Sequence, residues 1–144
     1  MSSGTIRLPV KEPLSVRLRV LFESLSEIID THRPAVAAIE SVFMAKSADS
    51  ALKLGHARGA AMVACVTNEL AVFEYAARQI KQSVVGTGAA SKQQVQHMVT
   101  VLLRLSAEPA EDAADGLATA LCHCHAEELS GALAASGFKA GRLR

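Results

Sequence analysis

Two short apolar runs, Ala35-Val-Ala-Ala-Ile39 and Leu70-Ala-Val-Phe-Glu-Tyr75, alternate with stretches of helical periodicity, and this alternation constrains the fold more than any other feature. The first run follows a helix and is too short for another, so it suits a strand buried on both faces. The second alternates loosely and reads as another core strand. Before them, Leu14, Leu18, Leu21, Phe22, Leu25, Ile28 and Ile29 recur at helical spacing, with Pro13 fitting a first turn and Pro34 forcing an end. A helix over about 14–32 is expected. Thr5, Ile6, Leu8 and Val10 alternate and predict a further strand over Ser3 to Pro9.

Between the two runs, Ser47 offers a cap for a helix rich in small residues. Gly55 and Gly59 each weaken such a helix by about 1 kcal/mol relative to Ala, which points to a packing reason. Close approach to the chain's own sheet and a dimer interface both supply one. Val84-Val-Gly-Thr-Gly-Ala is a glycine-punctuated loop. Ser91-Lys-Gln-Gln94 is a capping box opening a helix with Val95, Met98, Val99, Leu102 and Leu103 on one face. Pro109 starts a last helix, with Ala114, Leu117, Ala118 and Leu121 inward. Strands separated by helices, then helices alone, define an α/β chain with helices on the faces of a sheet. Three strands make a thin sheet for this much helix, a first hint that strands are missing. Residues 1–129 are expected to form one domain, with 130–144 a mobile tail.

With 15 Lys and Arg against 14 Asp and Glu, the overall field attracts no polyanion, so any nucleic-acid surface must be local. One Tyr, four Phe and no Trp do not suit serial base stacking. The three cysteines, an odd number, make no disulfide framework and fit a reducing cytoplasm. The N-terminus has no signal-peptide core, and no run of about 18 apolar residues predicts a membrane span.

Asp112 and Asp115, three apart at a helix start, share a face with Cβ atoms roughly 5–6 Å apart. Glu40 stands where a buried strand ends, the edge at which open α/β sheets gather ligands. Converging carboxylates repel unless a cation joins them, and hard oxygen donors suit Mg²⁺ or Mn²⁺. Taken singly, each has an ordinary role: first-turn acids serve their own helix, and a Glu after a strand is commonly solvated.

Four segments carry a resemblance: Ala38-Ile-Glu-Ser-Val-Phe-Met-Ala-Lys-Ser-Ala-Asp-Ser-Ala-Leu-Lys-Leu-Gly55, Val72-Phe-Glu-Tyr-Ala-Ala-Arg-Gln-Ile-Lys81, Gln94-Val-Gln-His-Met98 and Asp112-Ala-Ala-Asp-Gly-Leu117. Together, and in this order, they resemble the RuvC family of crossover-junction endodeoxyribonucleases from about Gly4 to His125. The resemblance implies an RNase H-like mixed sheet flanked by helices, Mg²⁺, a homodimer and paired nicks across a four-way (Holliday) DNA junction, in recombination and repair. It implies a branch-migration helicase complex as partner. By position, Glu40, Asp112 and Asp115 resemble three of the family's four metal-binding carboxylates. Lys81 and Lys92 fall at basic positions important for junction DNA, and Phe43 at an aromatic position proposed to stack on a base. The family's first strand carries Gly-Ile-Asp-Pro-Gly, which is absent here. The nuclease domain is therefore expected to be N-terminally truncated, as a fragment, a misplaced start or a shortened variant, the alternative function being a catalytically impaired junction-binding or dimerising piece. Ser41 and Gly116 depart from the family's longer polar residue and Ala.

Arg78, Lys81 and Lys92 flank the glycine loop 86–88 and are candidates for junction phosphates, helped by N–H groups at the Ser91 helix start. Cys122-His-Cys-His125 invites zinc, but neighbours two apart on a helix point in different directions. Free thiols and satisfied histidines fit better. His56 and His97 are read as surface or packing residues.

Overall fold

The computed structural model describes residues 3–41 and 47–135, which fall into two compact units divided between Ala76 and Ala77. The first unit runs α1 (Leu14–His32), β1 (Val36–Ser41), α2 (Ala48–Thr67) and β2 (Ala71–Ala76). α1 has the predicted bounds. Pro13 precedes it with φ −53° and no side-chain cap. Arg33 ends it in the left-handed region, donating its N–H to Ile29 O at 2.8 Å. Pro34 disfavours the right-handed helical region for the residue before it, so the chain turns there and leaves extended.

Ser47 caps α2 by accepting from Ser50 N, and Asp49 pairs with Lys53 one turn on at 2.6 Å. At the other end Asn68 Nδ2 donates to Ala64 O at 2.7 Å and to Ser26 Oγ at 3.3 Å. That side chain closes α2 and ties it to α1. Ala64 and Cys65 are buried in this packing. Two adjacent parallel strands need a crossover, and α2 is it. β1 and β2 pair in parallel, with Glu40 opposite Tyr75 and Ser41 opposite Ala76.

Several expectations change here. Residues 3–9 form no strand: no neighbour among the described residues supplies a ladder for their N–H and C=O groups. The described sheet is parallel and two-stranded rather than mixed. β1 is half-buried throughout, not buried on both faces, because β2 is its one partner among the described residues. Gly55 and Gly59 meet no close neighbour; a methyl group at either would find nothing within 4 Å.

The second unit holds α3 (Ala77–Val85), α4 (Lys92–Leu102) and α5 (Glu111–Ala135). Its core is Ile80 and Val84 from α3, Val95 and Val99 from α4, and Ala114, Leu117, Ala118 and Cys122 from α5. Small residues on α5 let two helices pack close to it. The capping box forms as expected: Ser91 Oγ accepts from Gln94 N, and Gln94 Oε1 from Ser91 N at 2.8 Å. Leu121 is half-buried, and Leu102 is exposed beside the left-handed Arg104 that turns the chain away. α3 has no signal in the sequence: its nine mostly polar residues follow β2 directly, with no capping residue between. α5 runs on past Ser130 to Ala135, and residues 136–144 lie outside the described region.

Candidate functional site

α5 opens on Glu111 and Asp112, with Asp115 one turn on. Asp112 is exposed and Asp115 half-buried. Burial is the main cause that pushes the Asp115 carboxyl above the ordinary aspartate range, and negative charge on Glu111 and Asp112 adds to it. Lys92 and Lys81 oppose the shift. Desolvation and like charge both disfavour a bare carboxylate, and the two lysines offset part of that cost.

Lys92 acts from the first turn of α4. Its Nζ donates to Glu111 Oε1. The hydrogen bond and charge of Glu111 raise its pKa, with Asp115 and Asp112 adding smaller contributions. Lys81, half-buried on α3, has a smaller effect on Asp115 of the same sign as that of Lys92. Both lysines singled out in the sequence therefore belong to the same electrostatic cluster as the paired aspartates. Glu111 was missed. Its signal was available, since a second acid in a first helical turn sits where the helix dipole favours it.

Arg78 lies on α3 with its stem against Gly88; a methyl group there would fall 2.5 Å from Arg78 Cγ. Gln82 orders the glycine loop, donating from Nε2 to Gly86 O at 2.6 Å and accepting at Oε1 from Gly88 N at 3.1 Å. Gly86 has φ 89°, a conformation that strains any residue with a Cβ. The loop is thus held by a side-chain amide, and the absent Gly88 side chain makes room for Arg78.

Glu40 is half-buried near the end of β1, in the first unit. Phe43 lies outside the described residues. Among the described residues no group of three or more His, Cys, Asp or Glu side chains is arranged to hold a metal ion. Cys122, His123, Cys124 and His125 spread around α5 as the 100° step between neighbours dictates. Cys122 and His123 are buried and Cys124 is exposed, while His125 Nδ1 lies 2.9 Å from Ser83 Oγ. Burial pushes the Cys122 thiol up, opposed by a hydrogen bond from Ser83. His56 and His97 are exposed.

Parallel strands joined through a helix, with an acid-headed helix in the helical unit, define the class: an α/β protein of the RNase H-like kind. The sequence profile described as crossover junction endodeoxyribonuclease RuvC matches residues 1–123. A crossover junction endodeoxyribonuclease RuvC of Saccharophagus degradans is 60% identical over 99% of this chain and 83% of its own length. That of Cronobacter sakazakii is 56% identical over 100% of this chain and 84% of its own. The structure of Thermus thermophilus RuvC in complex with Holliday junction substrate superposes with a TM-score of 0.83 at 30% identity, covering 90% of this chain and 79% of that one. The chain belongs to the RuvC family of crossover junction endodeoxyribonucleases.

Proposed function

We propose that this chain resolves four-way DNA junctions by metal-dependent phosphodiester hydrolysis, serving recombination and repair, with Mg²⁺ as the cation and Mn²⁺ able to replace it. The observation that carries the assignment to particular residues is the acid-crowded first turn of α5, where exposed Asp112 and half-buried Asp115 lie one turn apart within the field of Lys92 and Lys81. Asp112, Asp115 and Glu40 are the proposed ligands. An all-carboxylate donor set fits a hard divalent cation. Repulsion among bare carboxylates opposes their convergence, and a cation removes that penalty. When bound, such an ion acidifies a water and neutralises charge building on the phosphoryl oxygens.

The chain's own groups do the rest. Asp112 and Asp115 hold their oxygens on one helix face, set by their spacing. Lys81, Lys92 and Arg78 draw the phosphate backbone toward the start of α5 by charge alone, which positions DNA without reading its bases. Phosphate arriving at Lys92 competes with Glu111 for the same ammonium. Hydrolysis breaks one P–O bond, and the attacking water supplies the oxygen that replaces it.

The proposed partner in solution is a second copy of the chain. Leu52, Gly55, Gly59, Val63 and Val66 share one face of α2, and Leu52, Val63 and Val66 are 62%, 57% and 63% exposed. Two glycines four apart on that face let another helix approach closely. A Val63→Asp chain is expected to shift from dimer to monomer in sedimentation equilibrium; an unchanged dimer would remove this face from the interface. A branch-migration helicase is proposed as a further partner on family grounds, and the cytoplasm as the location. No described helix is long and apolar enough to cross a membrane.

Asp112→Asn tests the assignment. It should abolish Mg²⁺-dependent nicking of a synthetic four-way junction while leaving gel-shift affinity within about threefold. Normal nicking by that variant rejects Asp112 as a ligand. Since the chain spans more than four-fifths of the two RuvC relatives described, the alternative of a junction-binding piece without turnover is not favoured. It predicts salt-sensitive binding and no Mg²⁺-dependent product.

A further inference from the structure

The carboxyl end of β1 is tied down by side chains that the metal reading leaves unused. Ile39 stands opposite Glu74 in the parallel register. Ser41, two residues on, therefore faces the same side of the sheet as Glu74, and Glu40 faces the other. Ser41 Oγ donates to Glu74 Oε2 at 3.2 Å. The same oxygen accepts from Nη2 of Arg58, which reaches it from α2. One carboxylate oxygen thus joins β1, β2 and α2.

Arg58 is the more sheltered partner of this tie. The Arg58 and Glu74 side chains are 32% and 39% exposed. Arg58 Nε is shut off from solvent and has no hydrogen-bond partner among the described residues. A guanidinium with one nitrogen desolvated in this way depends on its carboxylate neighbour. Ser41 is also the last residue of β1 in the ladder, and strand ends fray unless something holds them. The hold falls on the residue that follows Glu40.

We infer that Glu74, held by Arg58 and gripping Ser41, is a positioning residue that fixes the backbone carrying Glu40. The inference rests on reading Glu40 as a metal ligand. A ligating carboxylate works only when held to within about 0.5 Å and 10–20° of its productive geometry. A tie on the opposite face restrains the peptide on which Glu40 is mounted without occupying the face that Glu40 uses.

The test uses the full chain. Glu74→Ala is expected to raise half-saturating Mg²⁺ for junction cleavage about tenfold, the scale at which residues supporting a ligand act. Mg²⁺ titration by calorimetry should show the same weakening. Affinity for a four-way junction in metal-free buffer should stay within about twofold. Hydrogen exchange, measured without metal, should rise about tenfold in peptides spanning 36–41 and not in those spanning α4. Glu74→Gln keeps an acceptor for Ser41 and Arg58 but not the charge, so it should shift Mg²⁺ dependence by about threefold. It carries the test if the alanine chain fails to fold. Unchanged Mg²⁺ dependence and exchange, beside a Glu40→Gln chain that no longer cuts, overturns the positioning role and leaves the metal reading standing. A Glu40→Gln chain that cuts at the parental rate overturns the metal reading and this inference with it. A uniform rise in exchange with a lowered melting temperature and unaltered Mg²⁺ binding marks a purely structural tie and also overturns it.

Discussion

Replacing Gly88 by alanine separates backbone cost from side-chain displacement. The added methyl group would sit 2.5 Å from Arg78 Cγ, 3.0 Å from Nε and 3.3 Å from Cδ. Carbon atoms in contact prefer about 3.5–4.0 Å, so the Arg78 stem must move by about 1 Å at Cγ. The guanidinium, further along a flexible chain, moves more. The backbone at Gly88 is not left-handed, unlike Gly86 with φ 89°. Alanine there carries no backbone penalty and removes freedom from the unfolded chain, a gain of about 0.4–1 kcal/mol before the displacement of Arg78 is counted. The same change at Gly86 should cost about 1–2 kcal/mol. If Arg78 holds a junction phosphate, Gly88→Ala weakens binding about three- to tenfold, and the slope of log affinity against log salt falls by about one phosphate's worth, roughly 0.9. Fluorescence anisotropy on a labelled four-way junction across a range of KCl concentrations measures both, with a thermal melt as the control on folding. Unchanged affinity and slope in both Gly88→Ala and Arg78→Ala would show that Arg78 touches no phosphate. A loss in Arg78→Ala alone would show that the crowding argument fails.

Asp115→Asn should melt at a higher temperature than the parent near neutral pH in metal-free buffer. The parent's raised carboxyl pKa means that the folded state binds this proton more tightly than the unfolded state, so the contribution is lost as pH rises from the ordinary aspartate range through the raised value. The gap should close on acidification, and a gap that widens contradicts the sign. Ser91→Ala removes one half of the capping box and should cost about 1 kcal/mol in a urea titration; a loss below a few tenths would mean that Gln94 caps the helix unaided. Lys92→Gln removes the partner of Glu111. It should flatten the salt dependence of junction binding and, followed by NMR, raise the Asp115 carboxyl further.

Helices with a strong apolar period were legible in the chain from residue identity alone. The stripe from Leu14 to Ile29, ended by Pro34, gave α1 its bounds, and Ser91 with Gln94 marked the start of α4 because a capping box is chemistry between neighbours. α3 was not legible: it takes over directly from β2, has nine residues, and owes its stability to Ile80 and Val84 meeting the other two helices. The expected strand over 3–9 failed for the converse reason, since alternation gives a strand its faces but a ladder must give it partners.

The acidic pair was readable because a three-residue step on a helix fixes its own geometry. Nothing local revealed that Lys92 would reach Glu111, or that Gly88 leaves space for Arg78. Nor could any local pattern join Ser41, Arg58 and Glu74. The sequence by itself determined which side chains carry acid, base and apolar character, and the periods on which they recur. Tertiary structure alone decided which of them meet, because contact between residues 16 or 33 apart depends on how helices and strands pack, and no window of neighbouring residues encodes that.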